Sequence, residues 1–249
     1  MNTIKDAQFI KEAVDFGTVV PVFKKVIWLD KKINKATLLC SALGYYETYL
    51  NSQRVGKFIF APGWTTYGKR LQYQEYDVTS MMEECNVLEI AVGNGMRFHK
   101  NRHENYESIT CNDSALIAAI KIEYADGTED FIPTDSTWEC AKSNILDSSV
   151  YNGETVDFTF NTDETFPVKE LDDVNKNILL PTEGEEVREM ARLDALKLIT
   201  TPKGETVIDF GQNLTGYVEW VVPQRKGAEF TIYHAEILDK DGNFYTENL

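Results

Sequence analysis

Three carboxylates near predicted turns have the side-chain chemistry that acid–base catalysis requires. Glu47 lies in YYETY, Asp209 in VIDFGQN and Glu236 in YHAEILDKDG. Two carboxyl groups held across a glycosidic bond can serve as an acid and as a base or nucleophile. Each of the three is explained as well by a surface position at a strand edge, so their placement alone does not identify a catalyst.

The histidines and cysteines offer little for metal chemistry. His99 and His103 are four residues apart, which is the spacing that two metal ligands need on one face of a helix. Gly93 and Gly95 precede them and the segment has no apolar helical stripe, so a polar loop is favoured. The four cysteines, which are free thiols or form two disulfides, lack CxxC spacing: Cys40, Cys85, Cys111 and Cys140.

Two glycine-containing loops are candidate binding sites. One contains Asn94 between Gly93 and Gly95, and the other contains Tyr151 and Asn152. Amide side chains and backbone carbonyls in such loops can hold sugar hydroxyls or calcium. The alternative is a pair of ordinary turns in which asparagine adopts positive φ. Asn94, Tyr151 and Asn152 are therefore predicted as carbohydrate-binding residues, and calcium is the one ion left open.

Aromatic residues alternate with polar ones between Gly44 and Asp77, and this pattern is typical of half-buried strands. Aromatic side chains on such a sheet either stack on sugars or fill the core. The aromatic residues that leave this choice open are Tyr45, Tyr46, Trp64, Tyr67 and Tyr73.

Composition excludes several functional classes. The formal charge of −15 would repel a nucleic-acid backbone and an anionic membrane surface. The serine nucleophile elbow, the phosphate loop, the dinucleotide fingerprint and HExxH are all absent from the sequence. The N-terminal residues contain no apolar segment of signal-peptide length, which predicts a cytoplasmic location.

The strands that would position these residues dominate the whole chain. Alternation predicts strands over residues 19–29, 35–43, 86–92 and 116–124, with a hairpin at the Ala125-Asp126-Gly127-Thr128 turn. We predict a β-sandwich over residues 1–165, a linker over 166–188, and a second, incomplete β-sandwich over 189–249. The linker is predicted from its acidic composition and its two prolines. Four strands are expected in the second sandwich: 193–199, 206–210, 216–222 and 229–234.

Ordered sequence blocks spread along nearly the whole chain carry a family resemblance. The blocks are SALGYYETYLNSQRVG, APGWTTYGKRLQYQEYDVT, LEIAVGNG, IEYADGT, DSTW, VYNGETVD, VIDFGQNLTGYVEW and HAEILDKDGNFYTENL. In these blocks the sequence resembles the N-terminal part of bacterial α-L-rhamnosidases, glycoside hydrolase family 78. The turn at Asn51-Ser52 and the segment Met96-Arg97-Phe98 differ from the pattern of many relatives.

The resemblance implies a jelly-roll-like β-sandwich followed by the start of a second β-sandwich, both preceding an (α/α)6 catalytic barrel. Hydrolysis of terminal α-L-rhamnosyl groups with inversion would take place in that barrel. No cysteine here is followed by proline and arginine as in the family's catalytic motif, so no catalytic residue is carried over. The expected partners are rhamnose-containing glycosides and the barrel of the same polypeptide. An autonomous carbohydrate-binding module and a structural spacer against the barrel are the alternatives.

Overall fold

The computed structural model describes residues 2–96, 114–150, 153–160, 163–222 and 226–247. Two compact units divide the chain, residues 1–188 and residues 189–249. Regular structure is nearly all strand, so the predicted all-β class is confirmed. Within the described residues no helix is long and apolar enough to cross a membrane. Short 3-10 turns are formed at Ile4–Asp6, Thr79–Met81 and Lys176–Ile178.

The strands are β1 Phe9–Glu12, β2 Pro21–Trp28, β3 Ile33–Leu43, β4 Tyr45–Leu50, β5 Gln53–Arg54, β6 Leu71–Asp77, β7 Cys85–Gly93, β8 Ala115–Tyr124, β9 Glu129–Pro133, β10 Glu139–Lys142, β11 Ile145–Ser149, β12 Gly153–Val156, β13 Phe166–Leu171, β14 Leu179–Pro181, β15 Lys197–Thr200, β16 Thr206–Asp209, β17 Ile237–Leu238 and β18 Phe244–Tyr245.

The first unit is built on one curled sheet with the strand order β14-β6-β3-β8-β1-β13-β10-β2-β7-β4-β5, and β9 pairs with β8. We call the half from β14 to β1 the first layer and the half from β10 to β5 the second layer. Strand β13 pairs with β1 at one edge and with β10 at the other, so it joins the two layers. The curl brings the two halves of the sheet face to face, which makes the predicted sandwich.

The main core lies between the two layers. Phe23 of β2 and Ile90 of β7 face inward from the second layer, and Leu38 of β3 and Ile120 of β8 face inward from the first. All four side chains are essentially inaccessible to solvent. Burial of each such side chain stabilises the fold by about 1.5–3 kcal/mol.

The outer face of the first layer is also buried. Leu39 and Ile117, which point away from the main core, pack with Phe9, Ile4 and Leu179 in a second apolar cluster. Strand β8 is consequently buried on both faces over most of its length. This explains why its sequence, ALIAAIKIEY, is almost continuously apolar instead of alternating.

Two tight backbone positions shape the region around β4. Asn51 and Ser52 both have positive φ, 52° and 63°, in the two-residue turn between β4 and β5. Asparagine tolerates this conformation better than most residues, and the Asn51 side chain also accepts the Val87 amide hydrogen at 2.9 Å. Gly44 has φ of 133°, and a Cβ there would lie 2.2 Å from the carbonyl oxygen of Gly93. The approach of β7 to the start of β4 therefore requires glycine.

A buried polar network crosses the main core behind β4. The Tyr46 hydroxyl donates to Oε1 of Gln74 at 2.5 Å, and the Gln74 amide donates to the Pro62 carbonyl at 3.1 Å. Burial raises the pKa of the Tyr46 phenol well above its ordinary value, so the hydroxyl keeps its proton. Tyr46 therefore belongs to the scaffold, not to a sugar-binding surface.

The other aromatic residues of the Gly44–Asp77 stretch divide between core and surface. Tyr67 and Tyr73 are partly buried against the second apolar cluster. Tyr45 is half-buried and its ring lies 5.4 Å from that of Phe60. Trp64 is 72% exposed.

The predicted linker over residues 166–188 is wrong for most of its length. Strand β13 is an interior strand of the curled sheet, and β14 forms a parallel edge pair with β6. Pro167 is the second residue of β13 and Pro181 is the last residue of the edge strand β14. Prolines are tolerated near strand starts and on edge strands, so here they did not mark a linker. The compact units divide after Arg188.

The second unit contains two short hairpins, β15–β16 and β17–β18. The predicted strands over residues 216–222 and 229–234 are absent, although both segments are described. Their apolar side chains are exposed, including Tyr217, Val221 and Tyr233. A strand requires a hydrogen-bonded neighbour, and the second unit gives these segments none among its described residues.

The described cysteines are free, with Cys40 and Cys140 buried and Cys85 half-buried. Disulfides between these three are therefore excluded. Burial raises the pKa of Cys40 and of Cys140 to about 12, so both thiols stay protonated. Cys111 lies outside the described residues.

Candidate functional site

The structure describes only one of the three predicted carbohydrate-binding residues. Asn94 follows β7 and is half-buried, and its Nδ2 donates to the Ser148 carbonyl of β11 at 3.1 Å. This hydrogen bond joins the loop after β7 to the β11–β12 hairpin. Tyr151 and Asn152 lie outside the described residues. Binding of a sugar hydroxyl or of calcium by these loops stays a prediction.

The described part of the chain contains no assembled metal site. No group of three or more histidine, cysteine, aspartate or glutamate side chains gathers there at a spacing that could hold an ion. His99 and His103, the pair with metal-ligand spacing, lie outside the described residues.

Two of the three candidate carboxylates make local structural contacts. Glu47 pairs with Arg54 at 3.2 Å on the outer face of β4. Asp209 accepts the Gly211 amide hydrogen at 2.7 Å, which lowers the pKa of its carboxyl group, and it pairs with Lys197 at 3.3 Å. An ionised Asp209 cannot protonate a leaving group. Glu236 is exposed immediately before β17.

A groove of about 650 Å³ opens on the outer face of the second layer. We call it the outer-face groove. Its floor is made by small apolar side chains in one row across three strands: Ala141 of β10 opposite Val22 of β2, and Val22 opposite Ala91 of β7. These residues alternate with inward-facing core residues such as Phe23 and Ile90. The same alternation that fills the core therefore leaves this face open.

The next row of the sheet supplies charged and polar groups. Lys24 lies opposite Glu89, and their side chains form an ion pair at 2.8 Å. Tyr49 lies opposite Glu89 on the other side, and its hydroxyl donates to Glu47 at 3.1 Å. Burial, followed by the charge of Glu47, raises the pKa of Tyr49, so the phenol remains a neutral hydrogen-bonding group.

Aromatic residues of the segment after β12 form one wall of the groove. Phe158 is 89% exposed and Phe160 is half-buried. A turn holds both, because Asp157 accepts hydrogen bonds from the Thr159 amide at 2.8 Å and from the Thr159 hydroxyl at 2.6 Å. The Asp157 amide donates to the Asn144 carbonyl at 2.9 Å, which fixes this turn to the loop before β11.

Sequence reasoning missed the outer-face groove because its parts come from five separate segments. The sequence contains signs of the groove, but each sign concerns only one short segment. Glu47 and Tyr49 share one face in YYETY, and Phe158 lies in the alternating segment VDFTF. Only the register of β10, β2, β7 and β4 places them beside Lys24 and Glu89.

The curled sheet, with a solvent-open groove on its outer face, defines an all-β sandwich protein. Two family models match in order along the chain. The α-L-rhamnosidase N-terminal domain matches residues 31–190, and the bacterial α-L-rhamnosidase concanavalin-like domain matches residues 199–249.

Individual relatives and solved structures agree with the family models. The curated α-L-rhamnosidase of Streptomyces avermitilis is 36% identical over an alignment of 237 residues that covers 88% of this chain and 22% of that protein. The crystal structure of native α-L-rhamnosidase from Aspergillus terreus superposes with a TM-score of 0.75 at 30% identity, over 85% of this chain and 26% of that one. The Streptomyces avermitilis enzyme complexed with L-rhamnose gives 0.73 at 31% identity, over 92% and 23%.

The chain belongs to the α-L-rhamnosidase N-terminal domain family. It spans about a quarter of the length of the curated relatives that it matches. The resemblance seen in the sequence blocks is confirmed.

Proposed function

We propose that the enzyme to which this chain belongs hydrolyses terminal α-L-rhamnosyl groups of glycosides, and that this portion is non-catalytic. One observation carries the proposal: two domain families of α-L-rhamnosidases match in order, over residues 31–190 and 199–249. The candidate carboxylates support it, since Glu47 and Asp209 are each held in ion pairs with a neighbouring base.

Catalysis in this account comes from an (α/α)6 barrel of the same polypeptide, against which the β units pack. The second unit supports a β domain larger than its two described hairpins. Its exposed apolar side chains, such as Leu198 and Val221, would be covered by further strands of the concanavalin-like domain. The chain itself would then act as a spacer that shapes the entrance to the barrel.

Hydrolysis of 4-nitrophenyl α-L-rhamnopyranoside tests both parts of this proposal. Purified from a host without α-L-rhamnosidase, residues 1–249 are expected to release no nitrophenol above the buffer rate. The complete reading frame that contains this chain is expected to release it. Turnover by residues 1–249 that is abolished by Glu47→Gln or Asp209→Asn would overturn the non-catalytic assignment. Inactivity of the complete reading frame on all rhamnosides would overturn the enzymatic one.

Carbohydrate binding by the loops is the second candidate function. Asn94 lies at the end of β7, where its amide already holds the β11–β12 hairpin through Ser148. Titration of residues 1–249 with L-rhamnose, with and without calcium, tests it. Binding that requires calcium and is lost in Asn94→Ala or Tyr151→Ala would support this function. Absence of binding at millimolar sugar would leave the spacer role.

A further inference from the structure

The loop between β5 and β6, residues 55–70, differs in composition from the rest of the chain. It contains two lysines and an arginine but no aspartate or glutamate, whereas the whole chain carries a formal charge of −15. Two of its large apolar side chains are exposed to solvent, Phe60 at 55% and Trp64 at 72%. Apolar side chains that are exposed together and rimmed by polar groups mark interaction surfaces. We call Phe60 and Trp64 the aromatic pair.

Phe60 adopts a backbone conformation that bulky residues rarely adopt. Its φ is 63°, in the left-handed region, and its ring lies 5.4 Å from the ring of Tyr45. Such a conformation persists only where neighbouring contacts impose it, and it is often found at functional sites. Core packing does not explain it here, because more than half of the Phe60 side chain is accessible to solvent.

Hydrogen bonds to three successive carbonyl groups hold this part of the loop. The Phe60 carbonyl accepts the Gly63 amide hydrogen at 2.9 Å, and the next carbonyl accepts the Tyr46 amide hydrogen at 2.8 Å. The Pro62 carbonyl accepts from the buried Gln74 side chain at 3.1 Å. The aromatic pair is therefore presented on an ordered backbone, which lowers the entropic cost of binding a partner.

The polypeptide leaves the first unit beside this loop. The Ile59 amide donates to the Val187 carbonyl at 2.7 Å, and the Glu183 amide donates to Oε1 of Gln72 at 3.1 Å. Val187 is itself 52% exposed and directly precedes Arg188, the last residue of the first unit. The aromatic pair thus lies next to the segment that connects the first unit to the polypeptide after it.

The curated relatives provide the partner for this surface. The chain covers only 22–26% of their length, so in the enzyme that we propose most of the polypeptide lies outside these residues. Covalent linkage keeps that remainder at a high effective concentration near the first unit. A partner within the same polypeptide can therefore cover the aromatic pair without high affinity of its own.

We infer that the aromatic pair docks the first unit against the catalytic barrel of the same polypeptide. Phe60 and Trp64 form the apolar centre of the contact, and the exposed lysines Lys57 and Lys69 lie on the same loop as a basic rim. The matching surface is expected to be apolar with acidic groups around it. The inference rests on the proposed function for the identity of the partner, and it assigns the contact to one loop.

Hydroxyl-radical footprinting, measured by mass spectrometry, tests this contact in residues 1–249 and in the complete reading frame. Trp64 and Phe60 are expected to be oxidised several-fold more slowly in the complete protein. Trp28, at the end of β2, is the matched control because it is also 72% exposed and does not belong to the loop. Its oxidation rate is expected to be the same in both proteins.

Three footprinting results would overturn the inference. The first is an unchanged oxidation rate of Trp64 in the complete protein. The second is equal protection of Trp28 and Trp64, since general shielding would then explain the result. The third is protection of Trp64 in residues 1–249 that grows with protein concentration, which would assign the surface to a second copy of the chain.

Substitutions measured in both proteins test whether the contact stabilises the enzyme. Asparagine tolerates positive φ, so Phe60→Asn is expected to preserve the melting temperature of residues 1–249. It is expected to lower the melting temperature of the first unit in the complete protein, and Trp64→Ala should show the same contrast. Trp28→Ala should show none. Equal losses in both proteins for Phe60→Asn and Trp64→Ala would mean that the aromatic pair stabilises only its own loop.

Rhamnoside hydrolysis by the complete reading frame is measured separately from the footprinting. An exposed Trp64 in an active enzyme would overturn the docking contact and leave the proposed function standing. Inactivity on all rhamnosides would overturn the proposed function, and with it the identity of the partner, whatever the oxidation rate of Trp64.

Discussion

Strand-like sequences pair and become buried in the first unit of the chain, whereas several of them stay unpaired and exposed in the second. In the first unit, alternating strands find neighbours in a twelve-stranded sheet and bury their apolar faces in two clusters. In the second unit, the described strands form only two-stranded hairpins. More than half of the exposed large apolar side chains among the described residues lie there, although it holds about a quarter of the chain.

The difference shows that a strand-like sequence is not sufficient for a strand. Residues 86–92 and 216–222 are both predicted as strands, yet only the first segment has a partner on each side, β2 and β4. The free energy of a strand comes from ladder hydrogen bonds and cross-strand packing, which a segment cannot make alone.

Truncation of one phenylalanine in each unit should give the largest contrast. Phe23 is fully buried in the main core, whereas Phe230 is 51% exposed. Phe23→Ala is expected to reduce the free energy of unfolding of the first unit by about 3–5 kcal/mol, because it removes a buried ring and leaves a cavity. Phe230→Ala is expected to change stability by less than about 0.5 kcal/mol. Urea unfolding measures both, and equal losses would contradict the comparison.

Removal of a hydroxyl should give a smaller contrast within the first unit. Tyr46→Phe leaves the buried Oε1 of Gln74 without the donor that now lies 2.5 Å away. We expect a loss of about 1–3 kcal/mol in urea unfolding. Tyr49→Phe, on the solvent side of the same strand, is the control and should cost much less, since water can replace its bond to Glu47. If Tyr46→Phe leaves the free energy of unfolding unchanged, the network does not stabilise the core.

The smallest expected effect is a loss of stability in acid that comes from the hairpin between β8 and β9. Hydrogen bonds from Thr128, with Lys31 nearby, lower the pKa of Asp126 to about 2 from its ordinary value of 3.8. A lowered folded-state pKa stabilises the fold above the unfolded-state pKa, and this contribution is lost as pH falls from about 4 to about 2.

Asp126→Asn should therefore flatten the pH dependence of the urea midpoint between about pH 4 and pH 2. The contribution at pH 7 should also be lost, because the charged acceptor is gone at every pH. An unchanged slope in this variant would show that the Asp126 carboxyl does not contribute to acid stability.

Local signals made much of the first unit predictable. The Asp126-Gly127 turn, with Gly127 at φ of 82°, predicts the β8–β9 hairpin from sequence alone, and the structure confirms it. In the second unit, the Asp239–Asn243 turn joins β17 and β18 in a hairpin of the same local kind. In both cases the turn chemistry and the strands it joins lie within a few residues of each other.

Long-range pairing set the limit of prediction. Strand β13 pairs with β1, whose residues are more than 150 positions earlier, so composition at Pro167 pointed to a linker instead. The outer-face groove depends on the same kind of pairing, since Lys24 meets Glu89 only through the register of β2 and β7. Asn94 was predicted as a binding residue from its loop alone, and its hydrogen bond to Ser148 could not be foreseen.

The central claim is that the first unit is a closed sandwich, while the second unit leaves apolar segments without hydrogen-bonded neighbouring strands. Hydrogen exchange of residues 1–249, measured by mass spectrometry, tests this claim most directly. Amides of β3 and β8 are expected to stay protected longest, because both strands are paired on two sides and buried. Amides of residues 216–222 and 229–234 are expected to exchange at nearly the rate of an unstructured chain. Protection of these two segments equal to that of β8 would contradict the account.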